Sequence, residues 1–116
     1  MSVSGFSKLP PPPYYAVMFS SKLREDSPGY GEASQTMGDL VRQQPGFLGV
    51  ESTRGADGLG ITVAYFESEA AIAHWRNNLE HAAARERGRK EWYEHFESRI
   101  AKVERAYGMK QREGDA

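Results

Sequence analysis

Apolar positions along this chain recur at two periods, and the switches between them predict where strands give way to helices. Tyr14-Tyr-Ala-Val-Met-Phe19 is a dense apolar and aromatic run directly after a stretch of prolines, short enough for a buried strand over residues 14–22. Asp26-Ser-Pro-Gly29 then offers turn chemistry and a cap, and Tyr30, Ala33, Met37, Leu40 and Val41 follow at helical spacing. That stripe predicts an amphipathic helix over about 29–43, stopped by Pro45-Gly46. Residues 47–54 and 60–66 are rich in β-formers and flank Gly55-Ala-Asp-Gly58, which predicts a hairpin.

On the second arm of the hairpin Ile61, Val63 and Tyr65 share one face while Thr62, Ala64 and Phe66 share the other. Both faces are mostly apolar, so the sheet is expected to be covered on both sides. Ser68 is a suitable N-cap for a second helix, with acidic residues at its positive end and Ala71, Ile72 and Trp75 as its apolar stripe. Asn77-Asn78 breaks that helix, and a further helical piece runs from Leu79 to about Arg89.

From Trp92 onward the two periods compete. Trp92, Phe96, Ile100, Val103 and Tyr107 fit a helix stripe, whereas a strand needs a change of phase between Phe96/Ile100 and Ala101/Val103. Topology favours the strand, because a hairpin plus one further strand leaves the sheet incomplete and a fourth strand over 94–106 completes βαββαβ.

Composition narrows the function classes. A chain of 116 residues makes one domain, and its net charge of −1 lacks the basic footprint of a nucleic-acid or membrane-surface binder. The absence of cysteine excludes disulfides, thiol nucleophiles and thiolate metal sites. No apolar run reaches signal-peptide or membrane-spanning length, so a soluble cytoplasmic protein is expected. The expected organisation is a flexible proline-rich arm over 1–13, a domain over 14–108 and a polar tail over 109–116. Pro10 to Pro13 read as a stiff polyproline II lead-in to the first strand rather than a docking motif.

The chemistry concentrates between His74 and Tyr93, which holds both tryptophans and two of the three histidines. Indoles supply broad apolar walls and imidazoles titrate near neutral pH, so this stretch is the natural wall of a pocket. His74 and His81 are seven residues apart across a helix break with no third ligand in sequence, so no metal site is expected.

Gln44-Pro-Gly-Phe-Leu-Gly-Val-Glu51, Gly60-Ile-Thr-Val-Ala-Tyr65, Ala71-Ile-Ala-His-Trp75, Glu80-His81, Gly88-Arg89, Trp92-Tyr93 and Arg99 with Val103-Glu-Arg-Ala-Tyr-Gly108 resemble the antibiotic biosynthesis monooxygenase-like family. The resemblance covers roughly residues 14–108 in order. It implies an α+β, ferredoxin-like βαββαβ fold with an antiparallel four-stranded sheet. Two subunits would pack sheet against sheet as a dimeric α/β barrel, and the last segment would be a strand. The family includes cofactor-independent oxygenases of polycyclic phenols or quinones, haem-degrading enzymes and members without an assigned reaction. Fold alone does not choose among them. Haem-degrading relatives use a Trp on the second helix, a His one helical segment later and an Asn on the first strand. Trp75 matches the first, but Arg85 stands ten residues later, His81 falls earlier, and residues 14–22 contain no Asn, so haem is disfavoured.

Oxygenation without metal or flavin needs a substrate able to become an electron-rich anion, a group to take its proton and a dry pocket. His81 is the favoured base ahead of His74 and His95, and Arg85 or Arg99 is expected to hold the anion, with Arg85 preferred. Trp75, Tyr65, Phe19, Trp92, His95, Phe96 and Arg99 are the expected substrate contacts. Against each aromatic stands the plainer reading that it is core, and against His81 that it simply ties the Asn77-Asn78 break. The leading expectation is a small homodimeric monooxygenase acting on an aromatic or polycyclic molecule. A non-catalytic dimer that binds a small aromatic ligand is the alternative.

Overall fold

The computed structural model describes residues 5–109. Strand β1 (Tyr14–Leu23) leads into helix α1 (Tyr30–Val41), followed by the hairpin β2 (Phe47–Arg54) and β3 (Leu59–Phe66). Helices α2 (Glu69–Arg76) and α3 (Leu79–Arg87) come next, then a π-helical turn (Gly88–Trp92) and strand β4 (Tyr93–Val103). The strands form one antiparallel sheet in the order β2-β3-β1-β4.

Register sorts the side chains between two faces. Val17 lies opposite Ala64 and Ile100, and Phe19 opposite Thr62 and Ser98. These residues share the helix-covered face with Phe66, around which Val41, Ala71 and Ile72 form the buried core. Tyr15, Val17, Phe47, Ala64 and Trp75 pack against that cluster. The second face carries Ala16, Met18, Ile61, Val63, Tyr65, Ala101 and Val103. Here the arm before β1 is fastened: Ser7 donates from its backbone to Glu51 and from its hydroxyl to the Val50 carbonyl, both at 3.0 Å. The Ser7 side chain occupies the space that a Cβ on Gly49 would fill, so only glycine admits the arm at that point. Residues 1–4, and all of the tail expected from Met109 except Met109 itself, lie outside the described residues.

The helix ends follow local chemistry. Ser68 caps α2 by accepting from the Ala71 amide at 3.1 Å. Asn78 caps α3 by accepting from the Glu80 and His81 amides at 3.0 and 3.1 Å. Within the expected Asp26-Ser-Pro-Gly29 turn it is Gly29, in the left-handed region, that is the N-cap of α1, and no side chain closes that end.

Residues 93–103 form the expected strand despite their helical period, and they do so without a change of phase between Phe96 and Val103. Phe96 and Ile100 face the helices while Ala101 and Val103 occupy the second face. β4 carries apolar residues in both phases, and superposing the two phases mimics a helical stripe. The irregularity falls instead where β4 begins, opposite Lys22 and Leu23.

Candidate functional site

Between the sheet and the helices lies a cavity of about 650 Å³. Its floor is set by strand phase: Val17, Phe19, Val50, Thr62, Ala64 and Phe96 all stand on the helix-covered side. Its roof comes from α1, α2 and α3, and from Trp92 and Tyr93 beyond the π turn. That turn offsets Trp92 from the helical phase, and its indole Nε1 donates to the Pro28 carbonyl at 2.8 Å, tying the end of α3 to the start of α1.

At one end the Asn77-Asn78 break reverses the chain and lays His81 flat on Trp75, ring centroids 4.1 Å apart and planes 12° from parallel. His81 Nδ1 lies 3.0 Å from the Trp75 carbonyl oxygen, which can only accept, so Nδ1 carries the proton and the Nε2 lone pair is left unprotonated. Burial holds the imidazole below its usual pKa, with the Arg85 and Arg76 charges adding to the effect and the Trp75 carbonyl opposing it. A neutral imidazole of fixed tautomer in an apolar cavity is a competent proton acceptor. Arg85, one helical turn beyond His81, also lines the cavity and donates from Nη1 to the Arg76 carbonyl at 2.7 Å.

The opposite end is polar in a way the sequence reading missed. Ser21 on β1 pairs with Gly60, and Gly60 pairs with Arg54. Because Gly60 has no side chain, the Arg54 guanidinium crosses the space a Cβ would fill and donates to the buried Ser21 hydroxyl at 2.8 Å. Arg54 also donates to the Ser21 and Gly58 carbonyls and to the Tyr30 hydroxyl. Burial, and then the neighbouring Tyr30 hydroxyl, push the Tyr93 phenol upward, so it stays protonated as a donor. The signal for Arg54 was present: it lies in phase with Val50 and Ser52 on the face the hairpin turns inward.

The expected site residues divide between the two faces. Phe19, Trp75, His81, Arg85, Trp92 and Phe96 line the cavity together. Tyr65, His95 and Arg99 do not reach it, because their strand phase places them on the second face. Tyr65 donates to Glu51 at 2.9 Å, and burial followed by that carboxylate pushes its pKa up to about 12. His95 and Arg99 flank Glu97, and the hydrogen bond from His95 holds that exposed carboxyl below its usual pKa. His74 is exposed on α2. Among the described residues no three His, Asp or Glu side chains converge as a metal site would require.

Sheet order, helix placement and cavity together define a ferredoxin-like α+β domain with a ligand-sized chamber between its layers. Residues 13–87 match the family described as antibiotic biosynthesis monooxygenase (ABM), and the chain belongs to that family. An uncharacterised protein of Bacillus subtilis (strain 168), YqjZ, is 59% identical over 99 residues, spanning 85% of this chain and 87% of its own. Among solved structures, SnoaB, a cofactor-independent oxygenase from Streptomyces nogalater, superposes with a TM-score of 0.69 at 11% identity, covering 87% of this chain and 100% of SnoaB. Rv0793 from Mycobacterium tuberculosis gives 0.70 at 15% identity, covering 81% of this chain and 99% of Rv0793. At such identities these two likenesses establish the fold.

Proposed function

We propose that this protein is a homodimeric oxygenase that oxidises an aromatic or polycyclic small molecule bearing an acidic C–H or O–H, with no metal or flavin in the reaction. The observation that carries this reading is His81: a neutral imidazole, stacked on Trp75 and fixed by the Trp75 carbonyl, in a cavity floored by apolar side chains. In this reading Nε2 takes the proton from the substrate, and Arg85 stabilises the resulting anion. That anion adds to dioxygen and recovers the proton from His81 as a hydroperoxide. For an anthrone-type methylene, loss of water then leaves a carbonyl: two hydrogens depart, one oxygen atom is retained and the other leaves as water. Phe19, Trp92 and Phe96 supply walls that exclude water from the ring system. Membership of the ABM family and the likeness in fold to SnoaB, a cofactor-independent oxygenase, add support.

Purified, metal-free protein given a panel of anthrone- and quinol-type substrates under oxygen is expected to turn over at least one, with uptake of one dioxygen per carbonyl formed from an anthrone. Ligand binding without conversion across the panel would replace the enzyme with a binding protein of the same cavity.

The dimer is supported by the second face of the sheet, where Leu59 and Ile61 are 53% and 47% exposed beside Val63 and Met18. An apolar sheet face of this kind is stabilised by a second copy. Sedimentation at tens of micromolar is expected to give the mass of two chains, and a single-chain mass would reject this assembly.

A further inference from the structure

The charges around the cavity are unbalanced in a chain whose overall charge is −1. Four arginines line it, Arg42, Arg54, Arg76 and Arg85, against the single carboxylate of Asp39. Two of the four are committed elsewhere: Arg54 bonds Ser21, Gly58 and Tyr30, and Arg42 donates to the Gly38 carbonyl at 2.7 Å. Arg85 spends one donor on the Arg76 carbonyl, and the Arg76 side chain has no hydrogen bond or ion pair among the described residues. The bonds of Arg42 and Arg54 all go to neutral groups, so the positive surplus stands, and its free guanidinium donors lie on Arg76 and Arg85, where α2 ends and α3 passes over it. Arg76 is exposed while still lining the cavity, so its side chain stands at an opening of the cavity to solvent.

Proton transfer from a substrate to His81 does not relieve that surplus. It moves a proton within the site and leaves the net charge unchanged. Only a ligand that arrives negatively charged offsets it, and a guanidinium pair is suited to an anion with two oxygens in one plane. Burial first, and then the nearby Arg76 and Arg89 charges, press the Arg85 guanidinium below its usual pKa.

We infer that Arg76 and Arg85 form an anion subsite at the cavity mouth and that the ligand is an aromatic carboxylate, its rings inside against Trp75 and Phe19 and its carboxylate on the two guanidinium groups. This rests on the reading of the cavity as a site for an aromatic molecule. The carboxylate also sets the orientation, because it holds one edge of the ring system at the mouth and turns the rest toward His81 and the apolar floor.

The test uses the full chain and two probes of one shape, anthracene-2-carboxylate and its neutral carboxamide, followed by the fluorescence anisotropy of the probe. The carboxylate is expected to bind about tenfold more tightly at low ionic strength, with an advantage that shrinks as salt is raised. Arg76→Gln is expected to bring the carboxylate to within about twofold of the carboxamide, weakening the carboxylate about fivefold more than the carboxamide. Equal affinities in the unaltered protein, or an Arg76→Gln effect of the same size on both probes, would overturn the subsite and leave the aromatic cavity standing. Binding of neither probe would overturn the aromatic cavity itself and the subsite with it.

Discussion

His81→Gln is expected to lower turnover of an anthrone- or quinol-type substrate by about 10²–10⁴-fold, the range associated with a positioned general base. Glutamine can still donate to the Trp75 carbonyl, so the α2–α3 break should persist and ligand affinity should change little. A variant that retains more than about a tenth of the activity would remove His81 as the base. The pH profile supplies a second check. Because burial lowers the folded pKa, His81 is already the neutral acceptor at pH 7, and kcat/KM should stay flat from there upward and fall only below pH 6.5. An inflection above 6.5 would be at odds with the buried, unprotonated imidazole.

The same shift has a consequence for stability, with the sign fixed by proton counting. Between the lowered folded pKa and 6.5 the unfolded chain binds more protons at this position than the folded one. Folding stability from His81 is therefore fully present above 6.5 and declines as pH falls through the folded pKa. His81→Gln should flatten that part of the stability profile, which separates the titration of this residue from that of the carboxylates.

Phe66→Ala should be the most damaging substitution in the core, costing about 3–5 kcal/mol in unfolding free energy. Phe66 is 0% exposed, sits at the centre of the Val41, Ala71 and Ile72 cluster and meets Phe47 edge-on at 5.9 Å between ring centroids. Phe66 also borders the cavity, so the space its ring vacates would join the chamber rather than collapse. Denaturant unfolding of the variant measures the loss. A cost below about 1 kcal/mol would mean that α1 and α2 close over the gap, and the cavity would then be deformable rather than held open by its walls. Phe66→Leu, which keeps most of the volume, is expected to recover the greater part of the difference.

The sequence by itself determined the order and kind of the elements from β1 to α3, because each of these is specified by neighbours within a few residues. Pro45-Gly46 stops α1, Ser68 and Asn78 cap α2 and α3, and the glycines around Asp57 turn the hairpin. It also marked Trp75 as inward through the Ala71, Ile72 and Trp75 stripe, and the structure leaves the neighbouring His74 exposed. For residues 93–103 periodicity misled, because the strand carries apolar residues in both phases, and topology had to decide.

What only the tertiary structure decided is which chemistry-bearing residues meet. Tyr65, His95 and Arg99 looked equivalent to Phe19 and Phe96 in the sequence, yet a strand sends alternate residues to opposite faces. Register and the placement of the helices determine which face holds the cavity. Arg54 reaches Ser21 only because Gly60 lies between them on an adjacent strand, a contact set by pairing rather than by spacing along the chain. The tautomer of His81 likewise depends on a carbonyl six residues earlier, brought within 3.0 Å by the reversal at Asn77-Asn78. Local signals fix where a chain turns; long-range pairing fixes what faces what, and the site is built from the second kind of information.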